Sequence, residues 1–263
     1  MDRFQIKIVP AVICFGSQKY LSGVDIDREL LYRKLEQEDV LPTTSQPSPG
    51  QFLEAYAELA DEGHSILVIT VTARASGVYQ SAMLAKSMLS EADIEVVDSM
   101  SVSVGAGLLI LAAARAIRAG RTKEEVVASV KDIRERLYVY ATVPTLKYLR
   151  RSGRVRRAQE LFASLLDIKP ILCIRNGVVE PVDKVRTRRR SLERVLGLMA
   201  EAVGGDGRIV AGVGHANVPE EAAWFKGKVQ EMFNCEELLV VDFGIAITAL
   251  AGPGLLGMVA YRL

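Results

Sequence analysis

The chain is poor in the side chains from which most enzyme sites are built. Its 263 residues contain two histidines, His64 and His215, and three cysteines, Cys14, Cys173 and Cys235. The cysteines lie far apart with no CxxC pair. That excludes a disulfide framework and a cysteine-rich zinc site, and it points to a reducing cytoplasm. No metal and no cofactor is expected. There is no GxSxG elbow, no HExxH, and no GxGxxG between a strand and a helix. The net charge of +1 creates no overall field that would gather nucleic acid. The longest apolar run, Val102–Ala114, stops at Arg115. It falls short of the about 20 residues a membrane span needs and reads as a buried helix. Asp2, Arg3 and Lys7 interrupt the stretch a signal peptide would occupy. The expectation is a cytoplasmic protein with no integral membrane segment.

What is present is an alternation of aliphatic runs and helical segments. Gln5–Cys14, Ser65–Thr72, Asp93–Ser99 and Tyr138–Val143 read as buried strands. Ser48-Pro49-Gly50-Gln51 and Thr122-Lys123-Glu124-Glu125 are helix starts of the capping-box type. This alternation implies a mainly parallel sheet covered by helices. After about residue 150 the pattern changes. Ile168–Arg175 and Val178–Arg186 flank Asn176-Gly177, a hairpin signal. A helix follows from Arg188 to Val203, then a strand over Arg208–His215, a helix over Pro219–Phe233, and strands over Glu237–Phe243 and Met258–Leu263. The fold class is α/β with two domains: residues 1–143 with the mainly parallel sheet, and residues 144–263 with a mixed sheet. The cleft between them is the natural ligand site.

Five segments carry candidate chemistry. Thr43-Thr44-Ser45-Gln46-Pro47-Ser48 sets hydroxyls ahead of a helix, where free N–H groups and the helix dipole suit an anion. Ser48 alone can also be read as a simple N-cap, with the rest a polar turn. Thr72–Ser81 follows a buried strand and opens a helix. Ser76 and Gly77 expose a hydroxyl and a backbone N–H there, or they only cap the helix. Leu149–Arg157 and Val185–Arg190 are dense arginine clusters. Each is either a solvated face or a docking patch for carboxylate or phosphate groups. Neither has the interleaved aromatics or module of a nucleic-acid interface, so no nucleic-acid partner is expected. Gly252-Pro253-Gly254 permits a tight turn but lacks the Lys-Ser/Thr of a phosphate loop. His215 ends a strand, and a serine-type hydrolase using Ser45 or Ser76 with His215 is a minor alternative.

Taken in order, these segments resemble the DegV family of bacterial fatty-acid-binding proteins. The resemblance runs through Ile8-Val9-Pro10, Tyr20–Ile26, Thr44–Ser48, Ser76–Ala82 and Val97-Asp98-Ser99. It continues through Ser152-Gly153-Arg154, Ile168–Leu172, Glu180–Arg186 and Gly252-Pro253-Gly254. It implies two α/β domains around a long-chain fatty acid, no catalysis by this chain, and a fatty acid kinase subunit that phosphorylates the presented carboxylate. By position, Thr44 and Ser76 match the family's carboxylate-binding hydroxyls, with Ser45 and Gly77 beside them. Arg154 matches an arginine near the head group. Arg186 matches one on the kinase-facing surface, with Arg188 next to it. Burial of the tail contributes about 0.8 kcal/mol per methylene, so the chain supplies affinity and the polar loops supply orientation. The sequence departs from the family in three ways. It is N-terminally shortened relative to a family pattern that begins with a further strand and an Asp-Ser-rich loop. Leu250-Ala251 stands where the family has His-Thr. Val78 replaces a Thr, and Arg74 is an added cation. An alternative reading follows from these departures, a diverged interaction protein that has lost its ligand.

Overall fold

The computed structural model describes residues 4–37, 41–155, 168–204 and 207–263. Three sheets organise these residues. The first is an antiparallel ribbon in which β1 (Val12–Phe15) is flanked by β2 (Gln18–Leu21) and β3 (Thr43–Ser45). Between β2 and β3 runs α1 (Arg28–Gln37), a helix the sequence reading passed over. Asp27 starts it, its Oδ1 accepting the Leu30 N–H at 2.8 Å. The helix α2 (Pro49–Asp61) opens with the reciprocal Ser48–Gln51 box that the sequence spells out.

The parallel component is small. Among the described residues β4 (Ile66–Thr70) pairs only with β5 (Ile94–Asp98). The helix α3 (Val78–Met88) connects them. Beyond β5 come α4 (Val104–Arg118), which is the apolar run read as a buried helix, and α5 (Lys123–Glu135), capped by Thr122 and Glu125. The expected strand over Gln5–Cys14 is present only from Val12 onward. Gln5 is left-handed at φ 51°, and Pro10 has no N–H to give a ladder. Aliphatic composition without a partner strand does not make a strand.

The second half is a six-stranded mixed sheet in the order β10-β9-β11-β6-β7-β8. Its members are β6 (Tyr138–Thr142), β7 (Lys169–Arg175), β8 (Val178–Val185), β9 (Ile209–His215), β10 (Cys235–Asp242) and β11 (Leu256–Arg262). The short helix α6 (Lys147–Ser152) follows β6. α7 (Arg188–Val203), α8 (Pro219–Met232) and α9 (Ile245–Ala251) complete the described elements. β6 pairs with β7 and β11, so it belongs to this second sheet. The boundary placed after residue 143 therefore cuts behind a strand of the second sheet. Strand propensity carries no information about which partner a strand will take.

The β7–β8 hairpin turns on Asn176-Gly177, with Arg175 opposite Val178 and both turn residues at positive φ, 50° and 76°. That is the two-residue turn the dipeptide signals. One core lies under α7 and α8 and includes the fully buried Val195, Met199 and Phe225. A second runs from α4 and α5 across to Leu172, Val210 and Val259 of the six-stranded sheet.

Candidate functional site

Between the small parallel sheet and the six-stranded sheet lies a cavity of about 1430 Å³. Its walls are apolar: Leu67 and Ile69 of β4, Phe52 and Leu59 of α2, and Val139, Leu172 and Val259 of the large sheet line it. β4 serves as a ruler for its length. Six residue steps from Ser65 to Val71, at ~3.3 Å each, give about 20 Å. Phe4, Lys7, His64 and Arg118 line the end where β4 begins, and Thr44, Ser45, Ser76, Gly77 and Arg154 the end where it finishes. All five residues singled out as ligand-binding thus share one mouth. The void reaches Ser76, so the interior is not filled by side chains as the diverged reading required.

Local structure explains the placement. In β3 the side chains alternate, with Thr43 and Ser45 exposed and Thr44 half-buried opposite the fully buried Ile13. The Ser48 hydroxyl is occupied by the α2 cap, as the plainer reading had it. Ser76 is different. The N-cap of α3 is Gly77, and no side chain caps that helix. The first turn of α3 therefore faces the mouth with its N–H groups uncapped by side chains. Gln46 joins the two hydroxyl loops. Its amide nitrogen donates to Ser81 Oγ at 3.2 Å, and its side chain lies where a Cβ on Gly77 would fall. Any larger residue at 77 would displace Gln46.

The cationic side of the mouth comes from the turn after α6. Gly153 is left-handed at φ 63°, Ser152 Oγ donates to the Leu149 carbonyl at 2.9 Å, and Arg154 Nη1 donates to the Ser152 carbonyl at 2.5 Å. Arg154 is exposed and shares a recess of about 420 Å³ with Arg74. Leu250 also lines the cavity. Leu250 brings an aliphatic side chain to the cavity, and Arg74 and Arg154 line the recess that adjoins it.

Sequence reasoning missed several wall residues. Tyr56 and Tyr140 both line the cavity. Burial pushes the Tyr56 phenol up to about 12, and its hydroxyl donates to the Ala82 carbonyl at 3.3 Å. Cys173 is also on the wall, and burial raises its thiol, so it stays protonated and unreactive. Thr72, noted only as a loop residue, is buried, and its hydroxyl donates to the Gly177 carbonyl at 2.9 Å. The hairpin tip of one half is thereby fastened to the Thr72–Ser81 loop of the other. No periodicity signals a pair 105 residues apart.

The arginine clusters divide. Arg186 is exposed. Arg188, grouped with it as a docking residue, is turned inward. Its Nε and Nη2 hold Glu221 at 3.0 and 2.6 Å, and Nη2 also donates to the Gly254 carbonyl at 2.7 Å. That clamp fixes the Gly252–Gly254 turn, whose two glycines both have positive φ, 85° and 84°. A guanidinium so engaged is not available to a partner. Arg156 and Arg157 of the other cluster lie outside the described residues.

His215 is buried, with Nδ1 3.2 Å from Asp242 Oδ1 but not hydrogen-bonded to it, and Asp242 accepts from Arg28 at 2.7 Å. Among the described residues no hydrogen bond joins His215 to Ser45 or Ser76, so the pair a serine hydrolase needs is not assembled. Among the same residues no three His, Cys, Asp or Glu side chains converge as a metal site requires, and no helix is long and apolar enough to cross a membrane.

Comparison with known proteins agrees with this geometry. A family model described as an uncharacterised protein of the DegV family matches residues 1–263. Protein DegV of Bacillus subtilis is 31% identical over 258 residues, 98% of this chain and 92% of that protein. A fatty-acid-binding DegV family protein from Thermus thermophilus has a structure that superposes with a TM-score of 0.93 at 30% identity, covering 100% of this chain and 94% of that one. A stearic acid-binding protein from Eubacterium ventriosum superposes at 0.90 with 26% identity, covering 99% and 92%.

Proposed function

This chain belongs to the DegV family, and from that premise we propose that it binds a long-chain fatty acid and presents the carboxylate to a fatty acid kinase partner. The observation that carries the reading is the cavity itself, an apolar channel about 20 Å along β4 that ends among Thr44, Ser45, Ser76, Gly77 and Arg154. The tail lies against the aliphatic walls, where each methylene removed from water contributes about 0.8 kcal/mol. The carboxylate accepts from hydroxyls and from the open N–H groups of α3. Arg74 and Arg154 supply positive charge beside it, in the place of the imidazole that Leu250 replaces.

The chain is a carrier and does no chemistry. His215 lies beside Asp242 and has no hydrogen bond to the serines of the mouth among the described residues, and burial raises the Cys173 thiol on the cavity wall. Exposed Arg186 is the residue offered to the kinase, since Arg188 holds Glu221 internally.

Organic extraction of the purified protein followed by mass spectrometry is expected to release a fatty acid near one per chain. A clean apo protein that also refuses palmitate and oleate would end the proposal. For the partner, Arg186→Glu is expected to reduce acyl-phosphate formation by an added fatty acid kinase. Undiminished formation would remove Arg186 from that role.

A further inference from the structure

β4 presents an unused edge, and its bonds to β5 fix which residues point that way. The Ile66 N–H donates to the Asp93 carbonyl at 2.8 Å, and the Thr70 carbonyl accepts from the Ser99 N–H at 3.1 Å. In a ladder alternate residues turn to the same neighbour, so Ile66, Val68 and Thr70 direct their backbone groups at β5. Leu67 and Ile69 lie between them and direct theirs at the opposite edge. Among the described residues no strand pairs there, and no hydrogen bond reaches the N–H or C=O of either residue. A void over one face of a strand touches alternate residues. The cavity touches every residue from Ser65 to Val71, so it runs along this edge.

What fits the edge follows from its chemistry. An acyl chain has no donor and no acceptor, so it leaves these groups to water. An extended polypeptide meets them at strand spacing, which is how open sheet edges take up peptides. The space suffices, since about 1430 Å³ exceeds the ~300–1,000 Å³ of small-molecule sites. A strand on β4 leaves room for a tail against Val139, Leu172 and Val259. β4 has apolar cover on both faces: Ile66 and Val68 pack toward Phe52 and Ala82, Leu67 and Ile69 toward the core of Leu108 and Leu109. A third strand would share both covers, which calls for aliphatic side chains on its two faces. The chain's own nearest segment does not serve. Residues 6–9 line the same cavity, but they sit between left-handed Gln5, at φ 51°, and Pro10, and make no backbone hydrogen bond among the described residues.

We infer that the open edge of β4 is a peptide-binding site, and that its occupant is an extended Val- and Ile-rich strand of about six residues from a partner protein. This goes beyond the fatty-acid reading and does not depend on it. Backbone bonds to Leu67 and Ile69 supply affinity, and the aliphatic covers select the side chains.

The probe is a synthetic peptide with a central Val-Ile-Val-Ile-Val-Thr run between paired lysines, titrated into the full chain. Calorimetry follows binding, and hydrogen exchange follows the Leu67 and Ile69 amides. The peptide is expected to bind and to slow both amides by about tenfold or more. The same run N-methylated throughout keeps its side chains, loses its donors, and is expected not to bind. Ile69→Pro removes one donor from the open edge and none from the β5 ladder. That variant should fold and bind the peptide at least about fivefold more weakly. If it does not fold, the N-methylated peptide still decides. Equal binding of both peptides, or of neither, overturns the inference. So does a chain that sediments as a dimer with both amides protected before any peptide is added, because a second copy then holds the edge. Palmitate is expected to bind without slowing either amide, and slowing as great as the peptide's would also overturn the inference. Palmitate that fails to bind while the peptide protects both amides ends the fatty-acid reading and leaves the peptide site standing.

Discussion

β9 and β4 are both short aliphatic strands, Ile209–His215 and Ile66–Thr70, and both lie inside the molecule. β9 has β10 on one edge and β11 on the other, and every residue of it is buried. β4 has β5 on one edge only, among the described residues, and its remaining residues border the cavity. Similar composition serves opposite ends. Around β9 the side chains of α7, α8 and β11 close the space, and that packing contributes stability. Around β4 a cavity remains, so packing contributes less there, and a molecule that filled the cavity would raise stability by mass action. The difference lies in what faces each strand and not in the strand.

The sharpest way to break this comparison is to cut into both sides equally. Phe225→Ala, at a fully buried site of the α7–α8 core, is expected to destabilise by about 3–5 kcal/mol. Ile69→Ala, on the cavity wall, is expected to cost less than half as much in the ligand-free protein, because part of its surface already faces the void. Urea unfolding of both variants decides it, and equal losses would mean that the cavity is closed in solution.

Gly177→Ala tests the link between the two regions. At φ 76° a side chain is strained, and its Cβ would strike the Thr72 hydroxyl. A loss of about 1–3 kcal/mol is expected in the same unfolding assay. No loss would show that the hairpin tip does not rest on the Thr72–Ser81 loop. Ser76→Ala addresses the mouth alone. It should weaken palmitate binding by about 1–3 kcal/mol, the cost of removing a partner from a buried charged acceptor. Unchanged affinity by calorimetry would seat the carboxylate elsewhere.

The smallest effect at neutral pH concerns Tyr56. Burial favours its neutral form, so its folded value of about 12 lies above the ordinary 10.0. Below about 10 both folded and unfolded chains hold the proton and the stabilisation is complete. Between there and about 12 the unfolded chain ionises first, so stability should fall as the pH rises. Tyr56→Phe should flatten that decline, and an unchanged slope would assign it to other groups.

Much of this was legible in the chain. The capping boxes at Ser48 and Thr122, the Asn176-Gly177 turn and the helix over Arg188–Val203 stand where the sequence put them. Each depends on residues within a few positions of one another. The five residues of the mouth were nameable from the resemblance, and the structure gathers them. The strand over Gln5–Ala11, the sheet membership of β6 and the role of Arg188 were misread. α1 was passed over.

The sequence alone therefore determined the local elements, because backbone conformation, caps and turns follow from side chains close along the chain. Only the tertiary structure decided which hydroxyls are used and which are free. Thr70 and Thr72 are alike in type and burial, yet the Thr72 hydroxyl donates to the Gly177 carbonyl, a group from the other half of the chain, and the Thr70 hydroxyl has no such acceptor. A hydrogen bond depends on position in space, and positions in space are set by the packing of distant segments.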